Sequence, residues 1–255
     1  MHQRRRPAPL SLVLLTVATL VATWLVMGPA AGTAGGKARL TEHKFRDDLS
    51  NVDTRYWDTW KQGGALMGPA DGMLEILVPT SAPEDGASYF GAGVLSPQGF
   101  AIKSDSYFTM GVTFSLRSWV TPNDISVILK AHYHGPKNAS HNLWVGVRWD
   151  EELGETVFEA DVDGSGKQRV VKGLSGYLVI ARRSYGIVLL AGNDPNAKRP
   201  VLSMVYEPDH VGAVDWQVSV SGPGAIDRDW PVRVRLTDFE VVSEKGFTTP
   251  ASWKK

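Results

Sequence analysis

The stretch Thr156-Val157-Phe158-Glu159-Ala160-Asp161-Val162-Asp163, followed by Gly164-Ser165-Gly166, decides the fold class of this chain. Apolar and polar residues alternate along it, which is typical of a β-strand with one face in a core. Because side chains repeat every two residues in a strand, Glu159, Asp161 and Asp163 are predicted to share one face. The Asp-Gly pair is typical of a turn, so the stretch predicts one strand of an antiparallel sheet.

Similar short strands recur along most of the chain. Runs rich in β-branched and aromatic residues alternate with clusters of Gly, Pro, Asn and Asp, and no segment shows sustained helical periodicity. This pattern predicts an all-β domain, a β-sandwich in which two antiparallel sheets pack face to face. The predicted strands are Met73–Val78, Ser88–Leu95, Phe100–Lys103, Tyr107–Leu116, Ile125–Tyr133, Leu143–Trp149, Thr156–Val162, Gln168–Val171, Tyr177–Arg182, Gly186–Ala191, Val201–Tyr206, Val214–Val220 and Val232–Val242.

The N-terminal residues have the features of an export signal. The basic segment Met1–Arg6 precedes an apolar run over Leu10–Val26 and the small residues of Gly28–Ala34. Cleavage after Ala34 is predicted, with an uncleaved membrane anchor as the alternative, since the apolar run is near the lower limit for spanning a bilayer. Either way the protein is expected to be exported: periplasmic, extracellular or anchored facing outward. The predicted divisions are residues 1–34 as signal peptide or anchor, 35–43 as linker, 44–243 as β-sandwich and 244–255 as flexible tail.

Composition excludes some classes of function. The 27 basic residues balance the 27 acidic ones, so no excess of positive charge points to nucleic acid. The chain contains no cysteine, so an exported domain of this size must rely on a conventional hydrophobic core instead of disulfides.

Several motifs follow one another in a specific order along the chain. They are Phe45-Arg46-Asp47-Asp48-Leu49 with Trp57 and Asp71–Ile76, then Gly93–Phe114, then Tyr177–Leu189, and last Pro231–Leu236. Their order resembles the concanavalin A-like lectin and glucanase superfamily, including its laminin-G-like and glycoside hydrolase family 16-like members. The resemblance covers about residues 44–243 and implies a jelly-roll sandwich. Because that fold serves lectins, hydrolases, lyases and interaction modules, it implies no single activity.

The acidic strand is the candidate catalytic site that this resemblance implies. Family 16 hydrolases carry a Glu-x-Asp-x-Glu strand, which would make Glu159 the nucleophile, Asp161 its orienting partner and Asp163 the general acid. Positions four apart on a strand lie roughly 13 Å apart at Cα, whereas retaining carboxyl groups lie about 5–5.5 Å apart. Asp163 is also shorter than Glu and adjoins a turn. A polar, solvated face is therefore the favoured interpretation, and catalysis the alternative.

Histidines and tryptophans are the candidate ligand-binding residues. His132 and His134 share one strand face, a spacing that metal sites use, and His141 is a conceivable third member. Because no carboxylate or thiolate lies in the same local run, the histidines are interpreted as glycan-contacting or surface residues, with no metal. Aromatic rings stack on sugar rings, so four tryptophans are candidate glycan contacts: Trp57, Trp60, Trp119 and Trp144.

A structural calcium ion is the one cofactor that the resemblance suggests, with Asp47, Asp48 or Asp238 as ligands. Three hypotheses for function follow. The first is an exported, non-catalytic glycan-recognition or accessory module of the cell envelope. The second is a family 16-like hydrolase that uses Glu159 and Asp161 with Asp163. The third is a membrane-anchored structural or protein-interaction domain.

Overall fold

A computed structural model describes residues 38–80, 89–134, 140–171, 173–194, 200–208, 212–223 and 230–253. The predicted signal or anchor segment lies outside these ranges. Within them, no helix has the length and apolar character that crossing a membrane requires.

The described chain forms two antiparallel sheets, as predicted. The first sheet has the order β1-β2-β17-β8-β13-β14-β15, with β5 also paired to β17 and β4 to β5. Its strands are β1 (Arg39–Leu40), β2 (Lys44–Asp47), β4 (Leu66–Ala70), β5 (Met73–Val78), β8 (Phe108–Ser118), β13 (Ser175–Arg183), β14 (Gly186–Gly192), β15 (Leu202–Tyr206) and β17 (Val232–Ser243).

The second sheet has the order β12-β11-β10-β9-β16-β6-β3, with β7 also paired to β16 and β18 to β7. Its strands are β3 (Asp58–Gln62), β6 (Tyr89–Leu95), β7 (Ala101–Ile102), β9 (Ser126–His134), β10 (Ser140–Asp150), β11 (Glu155–Val162), β12 (Ser165–Val170), β16 (Val214–Pro223) and β18 (Phe247–Thr248).

One hydrophobic core lies between the sheets, because most of the longer strands turn alternate apolar residues inward. The core has an aromatic centre, in which the ring of Phe45 lies 5.6 Å from Trp57 and 6.1 Å from both Trp216 and Phe239. Aromatic side chains bury large areas, so this cluster contributes strongly to the stability of a domain without disulfides.

The strand predictions are confirmed for β5 to β17, but the sandwich extends beyond its predicted limits. Strand β1 lies in the segment predicted as a linker. At the other end, β18 pairs with β7 and the side chain of Phe247 is buried. The ring of Trp253 lies 4.9 Å from that of Phe100, so the described part of the predicted flexible tail packs on the domain.

Candidate functional site

We define the outer face as the side of the second sheet that points away from the core. On β10, Leu143, Val145 and Val147 point inward and are buried, whereas Trp144 and Arg148 point to the outer face and are half-buried. Residues that lie opposite each other on neighbouring strands point to the same face of the sheet. The register of β10 with β9 and β11 therefore shows which residues of those strands also point to the outer face.

A row of four side chains crosses the middle of the outer face. Trp144 of β10 is in register with Asp161 of β11 on one side and Lys130 of β9 on the other. Lys130 is in turn in register with Gln217 of β16. The row combines an indole with a carboxylate, an ammonium group and an amide, so it offers both a flat apolar surface and hydrogen-bonding groups.

A cavity of about 250 Å³ opens beside this row. Its polar lining comes from β9, β10 and β16 and from Ser96, which follows β6, while Leu95 and Trp216 supply the apolar part. These groups can donate and accept hydrogen bonds within one small volume. The polar lining residues are Ser96, Lys130, His132, Asn142, Asp215 and Gln217.

Glu159 lies on the outer face, as predicted, but it is engaged by an arginine. Its carboxylate accepts a hydrogen bond from Nε of Arg148, whose Nη2 lies 3.0 Å from Oδ2 of Asp150. Burial opposes the charge of Arg148, but the hydrogen bond to Glu159 and the two carboxylate charges raise its pKa overall. This arrangement makes Glu159 part of an ion-pair network at one end of the outer face.

Asp161 and Asp163 take different positions from each other, so the predicted row of three acids on one face is wrong. Asp161 shares the face with Glu159, and its Oδ1 accepts a hydrogen bond from the Gly164 amide at 2.9 Å. Strand β11 ends before Asp163, whose φ of 49° places it in the left-handed region that Asp tolerates in turns.

The carboxylate of Asp163 points to the start of β10. It accepts hydrogen bonds from Nδ1 of His141 and from the backbone N–H of Asn142. Burial acts to raise the pKa of Asp163, but these two hydrogen bonds and the charge of His141 lower it overall. Asp163 therefore stabilises the end of the hairpin and is not available as a third acid beside Glu159.

His132 and His134 share the outer face, as predicted, and a carboxylate joins them. Asp215 of β16 is in register with His132, and its Oδ2 lies 2.8 Å from Nε2 of His134. His141 lies on the other face, stacked on the buried ring of Tyr133 at 4.7 Å, which excludes it as a third member. The sequence around the two histidines contains no carboxylate. Asp215 supplies one from β16, which is far away in the sequence but adjacent to β9 in the sheet.

Two of the four candidate tryptophans are not on the outer face. Trp57 is only 1% exposed in the core, and its Nε1–H donates a hydrogen bond of 2.7 Å to buried Asp47. Trp119 follows β8 and donates from Nε1 to Oγ1 of Thr156 on β11, so it bridges the two sheets. The glycan-contact prediction is wrong for Trp57, because a ring that is buried in the core cannot contact a glycan. The local sequence of the opening segment gave no sign of this burial.

Trp60 and Trp144 do lie on the outer face. Trp60 is on edge strand β3, and its ring centroid lies 6.4 Å from that of Tyr89. Its Nε1 lies so close to Gly93 on the next strand that a methyl group added there would be only 2.9 Å away. The absence of a side chain at Gly93 lets the indole lie across the neighbouring strand. Trp144 adjoins the cavity. Its neighbours on the outer face, Asn142 two residues earlier and Lys130 in register on β9, both line the cavity.

The three aspartates suggested for calcium do not form an oxygen cage. The two carboxylate oxygens of Asp47 accept from Leu49 N and Trp57 Nε1, and Oδ1 of Asp48 accepts from Ser50. Asp238 is paired with Arg46 at 3.4 Å. Among the described residues, these three aspartates belong to no group whose ligand atoms lie close enough together to share an ion, so they do not fit a calcium site.

The sequence did not point to Asp215 and Arg148 on this surface, nor to the cavity residues Lys130, Asn142 and Gln217. Arg148 follows Trp144 by four residues on the same strand, so strand alternation alone would have placed both on one face. Asp215 lies 81 residues from His134, and no local spacing connects them. Only the pairing of β9 with β16 brings them together.

No family model matches the chain, and no curated protein matches it in sequence. Solved structures match it in fold. The carbohydrate recognition domain of Emp47p superposes with a TM-score of 0.55 at 14% identity, over 83% of this chain and 99% of that one. For LamAcat from Zobellia galactanivorans the TM-score is 0.54 at 10% identity, over 78% of this chain and 96% of that one. For basic winged bean lectin with Tn-antigen the TM-score is 0.53 at 13% identity, over 79% of this chain and 98% of that one.

At these identities the likeness shows the fold. The chain has a concanavalin A-like fold, which confirms the predicted sandwich. Lectins and glucanases share this fold, so the fold by itself assigns no single activity to the chain.

Proposed function

We propose that the chain is a glycan-recognition module that binds a saccharide on the outer face of the second sheet. The observation that carries this proposal is the cavity lined by Lys130, Asn142 and Gln217 beside the half-buried indole of Trp144. Sugar rings present apolar faces that stack on aromatic rings, and hydroxyl groups that pair with amides and charged groups. The solved structures of similar fold include carbohydrate-binding proteins, which agrees with this role.

The engagement of the acids supports binding over catalysis. A glycoside hydrolase needs one carboxyl group as acid and a second as nucleophile or base. A methyl group added at Gly166 would lie 3.3 Å from Oδ2 of Asp161 and 3.6 Å from Oε1 of Glu159. The two carboxylates are therefore close neighbours. However, Glu159 is paired with Arg148, and Asp161 holds the turn at Gly164. Both acids therefore have structural partners that account for their positions.

Substitution of Trp144 tests the proposal. Trp144→Ala is expected to weaken binding of the best ligand from a glycan array by about tenfold or more, because a central aromatic contact commonly contributes more than about 1.4 kcal/mol. Binding is measured by titration calorimetry with the full chain, and thermal unfolding shows whether the variant remains folded.

Trp119→Ala is the matched control, since it removes another half-buried indole that does not lie on the outer face. Loss of binding in Trp119→Ala with full binding in Trp144→Ala would place the ligand elsewhere. Release of reducing sugar from a polysaccharide panel by the wild type, lost in Glu159→Gln, would favour the hydrolase instead.

We also propose that the protein acts outside the cytoplasm, on the basis of the basic, apolar and small segments of residues 1–34. The full chain expressed in a bacterium is expected in the periplasmic or membrane fraction. Replacing Leu14 and Leu15 by Arg should leave it in the cytoplasm, because charge in the apolar run opposes insertion. Equal fractionation of both forms would contradict export by this segment.

A further inference from the structure

His132, His134 and Asp215 form a compact group at one end of the cavity, which we call the His-His-Asp group. One potential ligand atom from each residue lies within 4.8 Å of the other two. Glycan binding as proposed above uses Trp144 and its neighbours and leaves the composition of this group unexplained. Two imidazoles beside a carboxylate are a common donor set for transition metals.

We propose that the His-His-Asp group binds a divalent transition metal ion of the zinc class. Imidazole nitrogen and carboxylate oxygen are both ligands of zinc, and three protein ligands with water in the fourth position form an open site. The two histidines lie on one strand, and the register of β9 with β16 holds the carboxylate beside them. The backbone of the sheet therefore fixes all three Cα positions before any ion binds.

The distances allow closure around an ion by side-chain rotation alone. Ligands at about 2.0–2.1 Å from a tetrahedral zinc ion lie about 3.3 Å from one another. His134 Nε2 and Asp215 Oδ2 are already 2.8 Å apart, and the two imidazole rings lie 4.7 Å apart at their centroids. The side chain of His134 is 53% exposed and that of Asp215 is 38% exposed, so both can turn without disturbing the core.

Zinc titration of the full-length chain tests the proposal. The protein is prepared without a histidine tag, in mild detergent because of its apolar N-terminal run, and titrated with zinc chloride by calorimetry at pH 7.5. We expect a site for one ion. His132→Asn and Asp215→Asn are each expected to weaken binding at that site by about tenfold or more, since loss even of an outer-shell partner costs about 10–100-fold.

His43→Asn is the matched control, because it removes a half-exposed histidine of the first sheet's edge and leaves the group intact. It should bind zinc as the wild type does.

Absence of zinc binding, or equal binding by Asp215→Asn and the wild type, would overturn the proposal and leave only a His134–Asp215 hydrogen bond. Thermal unfolding without metal distinguishes lost ligation from lost folding in each variant. No glycan is present in these titrations, so their outcome is independent of the proposed glycan binding.

Discussion

Trp57→Ala is expected to destabilise the domain by about 3–5 kcal/mol, the range for removing a buried aromatic side chain from a core. Trp57 is 1% exposed, and its ring lies 4.9 Å from that of Phe239. The substitution removes this packing and also leaves a buried oxygen of Asp47 without its donor. Urea unfolding followed by circular dichroism measures the change in the free energy of unfolding.

Two further variants separate the contributions to this loss. Trp57→Phe keeps most of the ring and removes the N–H donor, so a smaller loss of about 1–3 kcal/mol is expected from the unsatisfied carboxylate. Trp60→Ala removes an indole from the outer face and should cost about 1 kcal/mol. Equal losses in Trp57→Ala and Trp60→Ala would contradict the burial of Trp57.

Arg148→Met is expected to destabilise the domain by about 1–3 kcal/mol. Arg148 is the shared partner of Glu159 and Asp150, and the side chain of Glu159 is only 15% exposed. Removing one partner of a buried pair leaves an uncompensated charge and costs about 3–5 kcal/mol. The partial exposure of Arg148, at 29%, lets water screen part of that loss.

A double substitution tests whether the loss comes from the ion pair. Arg148→Met combined with Glu159→Gln should be more stable than the sum of the single changes predicts, because the second change removes the uncompensated carboxylate. Arg55→Met is the control: its pair with Asp53 is exposed, so its unfolding midpoint should match that of the wild type. Strict additivity in the double variant would contradict the coupling of Arg148 with Glu159.

The alternation of apolar and polar residues predicted most of the sandwich correctly. Strand β5 has the predicted limits Met73–Val78, and the strands from β8 to β17 lie close to their predicted limits. The alternation is informative where one side of a strand faces the core and the other faces solvent. By contrast, β3 has no buried residue, so its sequence shows no period of two and the strand was missed.

The candidate site was only partly predictable. Glu159 and Asp161 share a face as a strand period of two requires, and so do His132 and His134. The same reasoning failed for Asp163, because β11 ends one residue earlier and the left-handed backbone there redirects the side chain. The prediction of a glycan contact at Trp57 also failed, since an indole in a polar segment has the same local pattern whether it faces solvent or the core.

The sequence by itself determined that the chain forms antiparallel strands in a sandwich and which residues along each strand share a face. Both follow from local backbone geometry and from the burial of alternate side chains. Only the tertiary structure decided which strands are neighbours and in what register. That pairing puts Asp215 beside the histidines and Lys130 beside Trp144, because hydrogen bonds between strands join residues far apart in the chain.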